Sequence, residues 1–155
     1  MEITKAWIRK WEPDKEIIKW IRQQNTQDAL ELIYRLRNSK IESKYDWLYW
    51  IIPKLFKTKR DRARFAVYCM KLVSSMDKEC SDDKYFNKAI QVAKNWIENP
   101  TRKNENAVID IWGIMWEAFI AWNGVTWDIA IAWDNGDARI RDKIIDYGIK
   151  LLKEK

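Results

Sequence analysis

Histidine is absent from this 155-residue chain, and cysteine occurs only twice, proline three times and glycine four times. Without histidine the chain lacks the commonest general base, the usual activator of a nucleophile and the commonest metal ligand. Cys69 and Cys80 have neither CxxC spacing nor an imidazole partner, so they support neither thiol catalysis nor a zinc site. Two cysteines are also too few for a disulfide framework. There is no glycine-rich loop to cradle phosphate. These absences lead us to expect a non-enzymatic protein, with no catalytic residue, cofactor or metal.

Long uncharged runs are missing too. The most apolar window is interrupted by Asp110, Glu117 and Asp128, so no stretch approaches the roughly 20 residues a bilayer crossing needs. The segment Met1 to Trp11 is amphipathic and charged, unlike the basic tip and apolar core of a signal peptide. Cys69 lies in an apolar helical run, where a buried thiol behaves as a small hydrophobe. The expectation is a cytoplasmic protein with no membrane partner. Scarce glycine and proline and the lack of low-complexity tracts predict one domain over residues 1–155.

What the chain has is tryptophan. Five of its eleven tryptophans lie between Ala107 and Trp133, and from Asn104 to Ala138 there are six acidic residues and no lysine or arginine. Burying one indole removes about 150–250 Å² from water, worth about 4–6 kcal/mol as an upper bound. Most of the tryptophans stand at core spacing and are expected inside.

Helical periodicity runs through nearly the whole sequence, and strand-like alternation is nearly absent. A short amphipathic start ends at Glu12-Pro13. Ile17, Ile18, Trp20 and Ile21 mark the next helix, and Thr26 is the expected N-cap of one carrying Leu30, Ile33, Tyr34 and Leu36. Tyr45 to Phe56 follows, with Pro53 expected to kink or shift it. Thr58 is the cap expected for the helix to about Met76, striped by Ala63, Ala66, Val67, Met70 and Val73. Ser81 or Asp82 is the cap expected for a helix stopped by Asn99-Pro100. A central helix from Glu105 to Trp122, a short one from Thr126 to Asp134 and a last one from Asp137 to Leu152 complete an all-α, compact bundle of about seven or eight helices.

Two charge clusters qualify as candidate sites. Asp110 and Glu117, seven residues apart, share one face of the central helix, and Asp128 and Asp134 extend this acidic set. Carboxylates gathered in apolar surroundings can hold a cation or carry acid chemistry. The stronger reading is a structural seam paired with arginines such as Arg62, Arg64, Arg139 and Arg141. The basic cluster is Lys57, Lys59, Arg60, Arg62 and Arg64, interrupted only by Thr58, Asp61 and Ala63. It is either a solvated face, a partner-binding surface or a track for phosphates, with Tyr45, Trp47 and Phe56 available to stack bases.

Several blocks carry a family likeness. The sequences DWLYW from Asp46 to Trp50 and KAIQVAKNW from Lys88 to Trp96, with Phe65 to Val73 between them and the tryptophan-rich Ala107 to Trp133 after them, occur in a recognisable order. This order resembles the bacterial immunity-protein family associated with polymorphic-toxin loci and also met in phages and mobile elements. The chain departs from it by using Ile, Met and Phe at many positions where alanine is usual. The resemblance implies a protein that binds and neutralises a toxin or effector stoichiometrically, and it supplies no catalytic residues. Alternatives are a phage or mobile-element inhibitor of a bacterial defence complex, resembling an anti-CRISPR protein, and a nucleic-acid-binding helical module. The formal charge of +6 favours a protein partner with an acidic surface.

The acidic seam makes a direct prediction. Glu117→Ala is expected to lower the thermal midpoint several times more than Lys155→Ala, because a buried carboxylate pairs and a terminal lysine does not. Equal midpoints in a melting experiment would remove the seam.

Overall fold

A salt-bridged chain start sets the first corner of the structure. The amino group of Met1 lies 3.7 Å from the Asp28 carboxylate. Ile3 N–H donates to the Gln27 carbonyl at 2.8 Å, and Ala29 N–H donates to the Met1 carbonyl at 2.8 Å. Glu2 and Asp28 thereby form an isolated antiparallel bridge. The computed structural model describes residues 1–75, 82, 84–110 and 138–154.

The all-α expectation is met, with eight helices and no strand among the described residues. They are α1 Lys5–Trp11, α2 Lys15–Gln23, α3 Ala29–Arg37, α4 Lys44–Leu55, α5 Lys59–Ser74, α6 Lys84–Glu98, α7 at 102–110 and α8 Ala138–Lys153. The rest of the expected central helix, and the short helix from Thr126 to Asp134, lie outside the described residues. Two compact units are formed: unit 1 from Met1–Phe56 with Gly148–Lys155, and unit 2 from Lys57–Tyr147.

Unit 1 is built from short, individually capped helices. The Thr4 hydroxyl accepts from Trp7 N–H, and Asp14 accepts from Glu16 N–H, which satisfies donors that a first turn leaves unpaired. Glu12 then takes a left-handed conformation, φ 43°, at the end of α1, and Pro13 prevents the helix from continuing. The cap of α3 differs from expectation. Asp28 fills that place by accepting from Glu31 N–H at 2.9 Å, while Thr26 donates its hydroxyl to the Glu31 carboxylate at 2.7 Å and accepts from Asp28 N–H. Helix α4 runs on through Pro53 to Leu55, and Lys54 Nζ donates to the Trp50 carbonyl at 3.3 Å. Helices α3 and α4 pack together, and Leu32, Ile33 and Leu36 on α3 and Leu48 and Ile52 on α4 are all at most 2% exposed.

The tryptophans correct the sequence reading. None of the six described indoles belongs to the buried core, which is made mainly of Ile, Leu and Ala. All six sit half-buried, and four of them meet edge-on in pairs: Trp7 and Trp50 are perpendicular at 5.8 Å, and Trp20 and Trp47 are 6.5 Å apart. Lys54 Nζ lies 4.0 Å from the Trp50 ring centre, a cation–π contact, and burial lowers its pKa from the ordinary lysine value. A large indole with one polar N–H suits a rim better than a tight aliphatic interior. The five tryptophans from Trp112 to Trp133 lie outside the described residues.

In unit 2, α5 opens on a reciprocal cap. Thr58 accepts from Asp61 N–H at 3.0 Å and donates its hydroxyl to the Asp61 carboxylate at 2.7 Å. Val67 and Met70 of α5 pack on Phe86, Ala89, Ile90 and Ala93 of α6. Ser81 lies outside the described residues, and Asp82 is already helical. Asn99-Pro100 ends α6 as expected, but α7 starts at 102, three residues before the expected Glu105. The Thr101 hydroxyl accepts from Asn104 N–H, and Asn104 donates its amide to the Asn99 carbonyl at 2.8 Å, closing the corner. Tyr68 and Tyr147 stack at 4.0 Å.

The Asp28 cap carries a pH dependence. Its carboxyl is held below the ordinary value, chiefly by the hydrogen bond from Glu31 N–H and further by the amino terminus. Because the folded value is depressed, the stabilisation is present above about pH 4, the unfolded carboxylate's range, and is lost as pH falls through the folded value. Asn also caps helices, so Asp28→Asn isolates the charge and is expected to cost about 0.3–1 kcal/mol at pH 7, reduced by solvent screening, and progressively less as pH falls below about 4. A wild-type advantage in urea unfolding that stays constant across that range would contradict this account.

Candidate functional site

The basic cluster lies at the start of α5 and its members are not equivalent. Lys57, Lys59, Arg60 and Arg62 are exposed, and Arg64 is half-buried. Arg64 lies 3.7 Å from the first-turn Asp61. Lys59 reaches α7 and donates to the Glu105 carboxylate at 2.8 Å, across 46 residues of sequence. Glu105 is held below the usual carboxylate range, first by that hydrogen bond, then by the Lys59 charge and by Arg102. Two of the five cations are therefore committed to acids of the chain itself. Lys57, Arg60 and Arg62 remain as outward charge.

The proposed stacking side chains are engaged elsewhere. Phe56 is 5% exposed, Trp47 packs against Trp20, and the Lys44 ammonium stands 5.3 Å from the Tyr45 ring centre. Their aromatic surface is used inside unit 1, and no open stacking platform is formed from them.

Of the acidic set, Asp110 is exposed at the end of the described part of α7, in contrast to the burial expected for a seam. Glu117, Asp128 and Asp134 lie outside the described residues. No group of three or more Cys, Asp or Glu residues able to hold a metal occurs among the described residues.

A feature that the sequence reading missed lies between α5, α6 and α7. An apolar groove of about 290 Å³ is lined by Ala63, Ala66, Val67 and Met70, by Ala89, Ala93 and Trp96, and by Val108 and Ile109. Lys59 and Glu105, the bridging pair, also line it. Its geometry follows from side-chain size. Alanines at three- and four-residue spacing face each other on α5 and α6, so neither helix fills the space above them. Ile109 is 61% exposed, the largest exposure among the big described hydrophobics. The signal was present as the Ala63-Ala66 and Ala89-Ala93 pairs, but its meaning depends on which helices are neighbours.

The arrangement offers a surface for contact. An apolar floor, one protruding isoleucine and a charged rim can grip an apolar anchor and orient it through its flanking charges. Cys69 is no nucleophile: it is 2% exposed, and burial pushes its thiol up to about 12. In a Cys80→Ser background, Cys69 is expected to resist alkylation at pH 8 in the folded protein and to react fully in denaturant. Rapid labelling of the native chain, followed by mass spectrometry, would refute its inertness.

Comparison of the chain with protein-family models, with curated proteins and with solved structures finds no match to any of the three.

Proposed function

We propose that this protein is a non-catalytic inhibitor that acts by stoichiometric binding to another protein, using the groove of α5, α6 and α7. The observation that carries this reading is Ile109, 61% exposed at the edge of an apolar groove whose rim holds the Lys59–Glu105 pair. Exposed large side chains scattered singly mean little, but one that extends a preformed apolar concavity gives a partner both area and register. Exposed Arg60 and Arg62 on α5, with Lys57 just before it and Arg102 and Lys103 on α7, add positive charge around the groove. The partner that fits presents an apolar side chain flanked by acidic residues.

Mechanistically, such a surface divides the work. The rim cations speed encounter with an acidic surface, and burial of the anchor in the groove slows dissociation. Occlusion of a toxin's or effector's working surface is the immunity-type role to which the sequence resemblance points. The same build suits inhibition of a bacterial defence complex.

The test begins with capture of partners by tagged protein from the native or infected host, with and without nuclease. The captured protein is then purified and its affinity measured for the wild type and two variants. A one-to-one complex is expected to survive nuclease and to weaken by about tenfold or more with Ile109→Asp, since an anchor contact is worth about 2 kcal/mol. Replacing Lys57, Arg60 and Arg62 by Glu is expected to lower the association rate and its salt dependence, with a smaller effect on dissociation. Nucleic acid recovered alone and lost with nuclease would instead make Lys57, Lys59, Arg60, Arg62 and Arg64 a phosphate-tracking run.

A further inference from the structure

Unit 1 holds a second concavity, of different chemistry. A cleft of about 630 Å³ opens between the chain start, α1, the end of α2 and the link from α2 to α3. Its apolar lining is the half-buried Ile8, with Ile3 and Ile21, at most 5% exposed, behind it. Its charged lining is Lys5, Arg9 and Arg22, and no carboxylate lines it. Lys5 and Arg9 stand one helical turn apart on α1, and Arg22 faces the same space from α2. All three are exposed.

The link that follows Arg22 also lines the cleft, and hydrogen bonds hold it. Asn25 is left-handed, φ 52°, an unusual conformation for a residue with a Cβ, which asparagine tolerates better than most. The link around it is tied at three points. Arg35 donates to the Gln24 carbonyl at 2.6 Å, Thr26 donates to Glu31, and Gln27 accepts from Ile3 N–H. The ties leave the side-chain amides of Asn25 and Gln27 as hydrogen-bonding groups along one side of the cleft.

We propose that this cleft binds a nucleoside diphosphate. Three cations around one cleft repel each other, and a compact polyanion relieves that repulsion while matching their donors. Ile8 and the aliphatic stems of Lys5, Arg9 and Arg22 offer apolar surface to the face of a base, and an amide can pair with a base edge in both donor and acceptor sense. The volume lies within the roughly 300–1,000 Å³ typical of small-molecule sites. The site is independent of the protein-binding reading, since every residue that lines it belongs to unit 1 and every residue of the groove belongs to unit 2.

Calorimetric titration of the full chain with ADP, GDP, CDP and UDP tests this, with pyrophosphate and adenosine as partial ligands. At least one diphosphate is expected to bind with a dissociation constant below about 1 mM, and about tenfold or more tighter than either partial ligand. Arg9→Gln and Arg22→Gln are each expected to weaken it about tenfold, whereas Lys71→Gln, at an exposed cation of unit 2, leaves it unchanged. Circular dichroism checks that the variants fold. No binding by any of the four at about 5 mM overturns the proposal. So do pyrophosphate binding as tight as the best nucleotide and an equal loss in Lys71→Gln.

Discussion

The interior of the described structure admits aliphatic side chains and excludes charge, and the rest of the molecule follows from that division. Leu32, Ile33, Leu36, Leu48, Ile52 and Ile145 are almost wholly buried, and no polar or charged residue joins them among the described residues. Each such side chain is worth about 1.5–3 kcal/mol on burial, while an unpaired buried charge costs more than any one of them returns. Every charged side chain whose burial is described is accordingly at least partly exposed. Both concavities join apolar lining to a charged rim for the same reason.

This division also explains the tryptophans. Their spacing put them on helix faces that point inward, and that much of the pattern was correct. Spacing gives direction along a helix and not depth within a unit. Trp7, Trp20, Trp47 and Trp50 point toward their neighbours yet stop at the rim, where edge-on ring contacts replace full burial. Lys54 shows the result, its ammonium lying against Trp50 and near Trp11 while donating to the end of its own helix.

Local features were legible in the sequence because local chemistry decides them. Glu12-Pro13 and Asn99-Pro100 end helices wherever they occur, and Thr58 is three residues before an acid that completes its cap. Thr26 was misread although the choice is local: Asp28, three residues before Glu31, takes its N–H, and Thr26 bonds the Glu31 carboxylate and Asp28 N–H instead. The basic cluster was legible as a location. Its internal division, with Lys59 bound to Glu105 and Arg64 beside Asp61, was only half legible, since the second pair is local and the first is not. Neither concavity was legible, because each is bounded by elements brought together only by folding.

The two charged rims act differently on a ligand. Lys59 and Glu105 are already joined, so the groove's edge has little net field there and contributes orientation; the pair is solvent-exposed, and such pairs add little to stability. Its remaining cations act at a distance and are weakened by salt over about 8 Å at physiological ionic strength. In the cleft of unit 1 no acid lines the site to satisfy Lys5, Arg9 and Arg22, so their charge is available at short range, where screening is least. A groove with a self-paired rim discriminates by shape and hydrophobic fit. A cleft lined by cations alone discriminates by charge first, and the rigid link at Asn25 limits how far it can relax around a ligand of the wrong size.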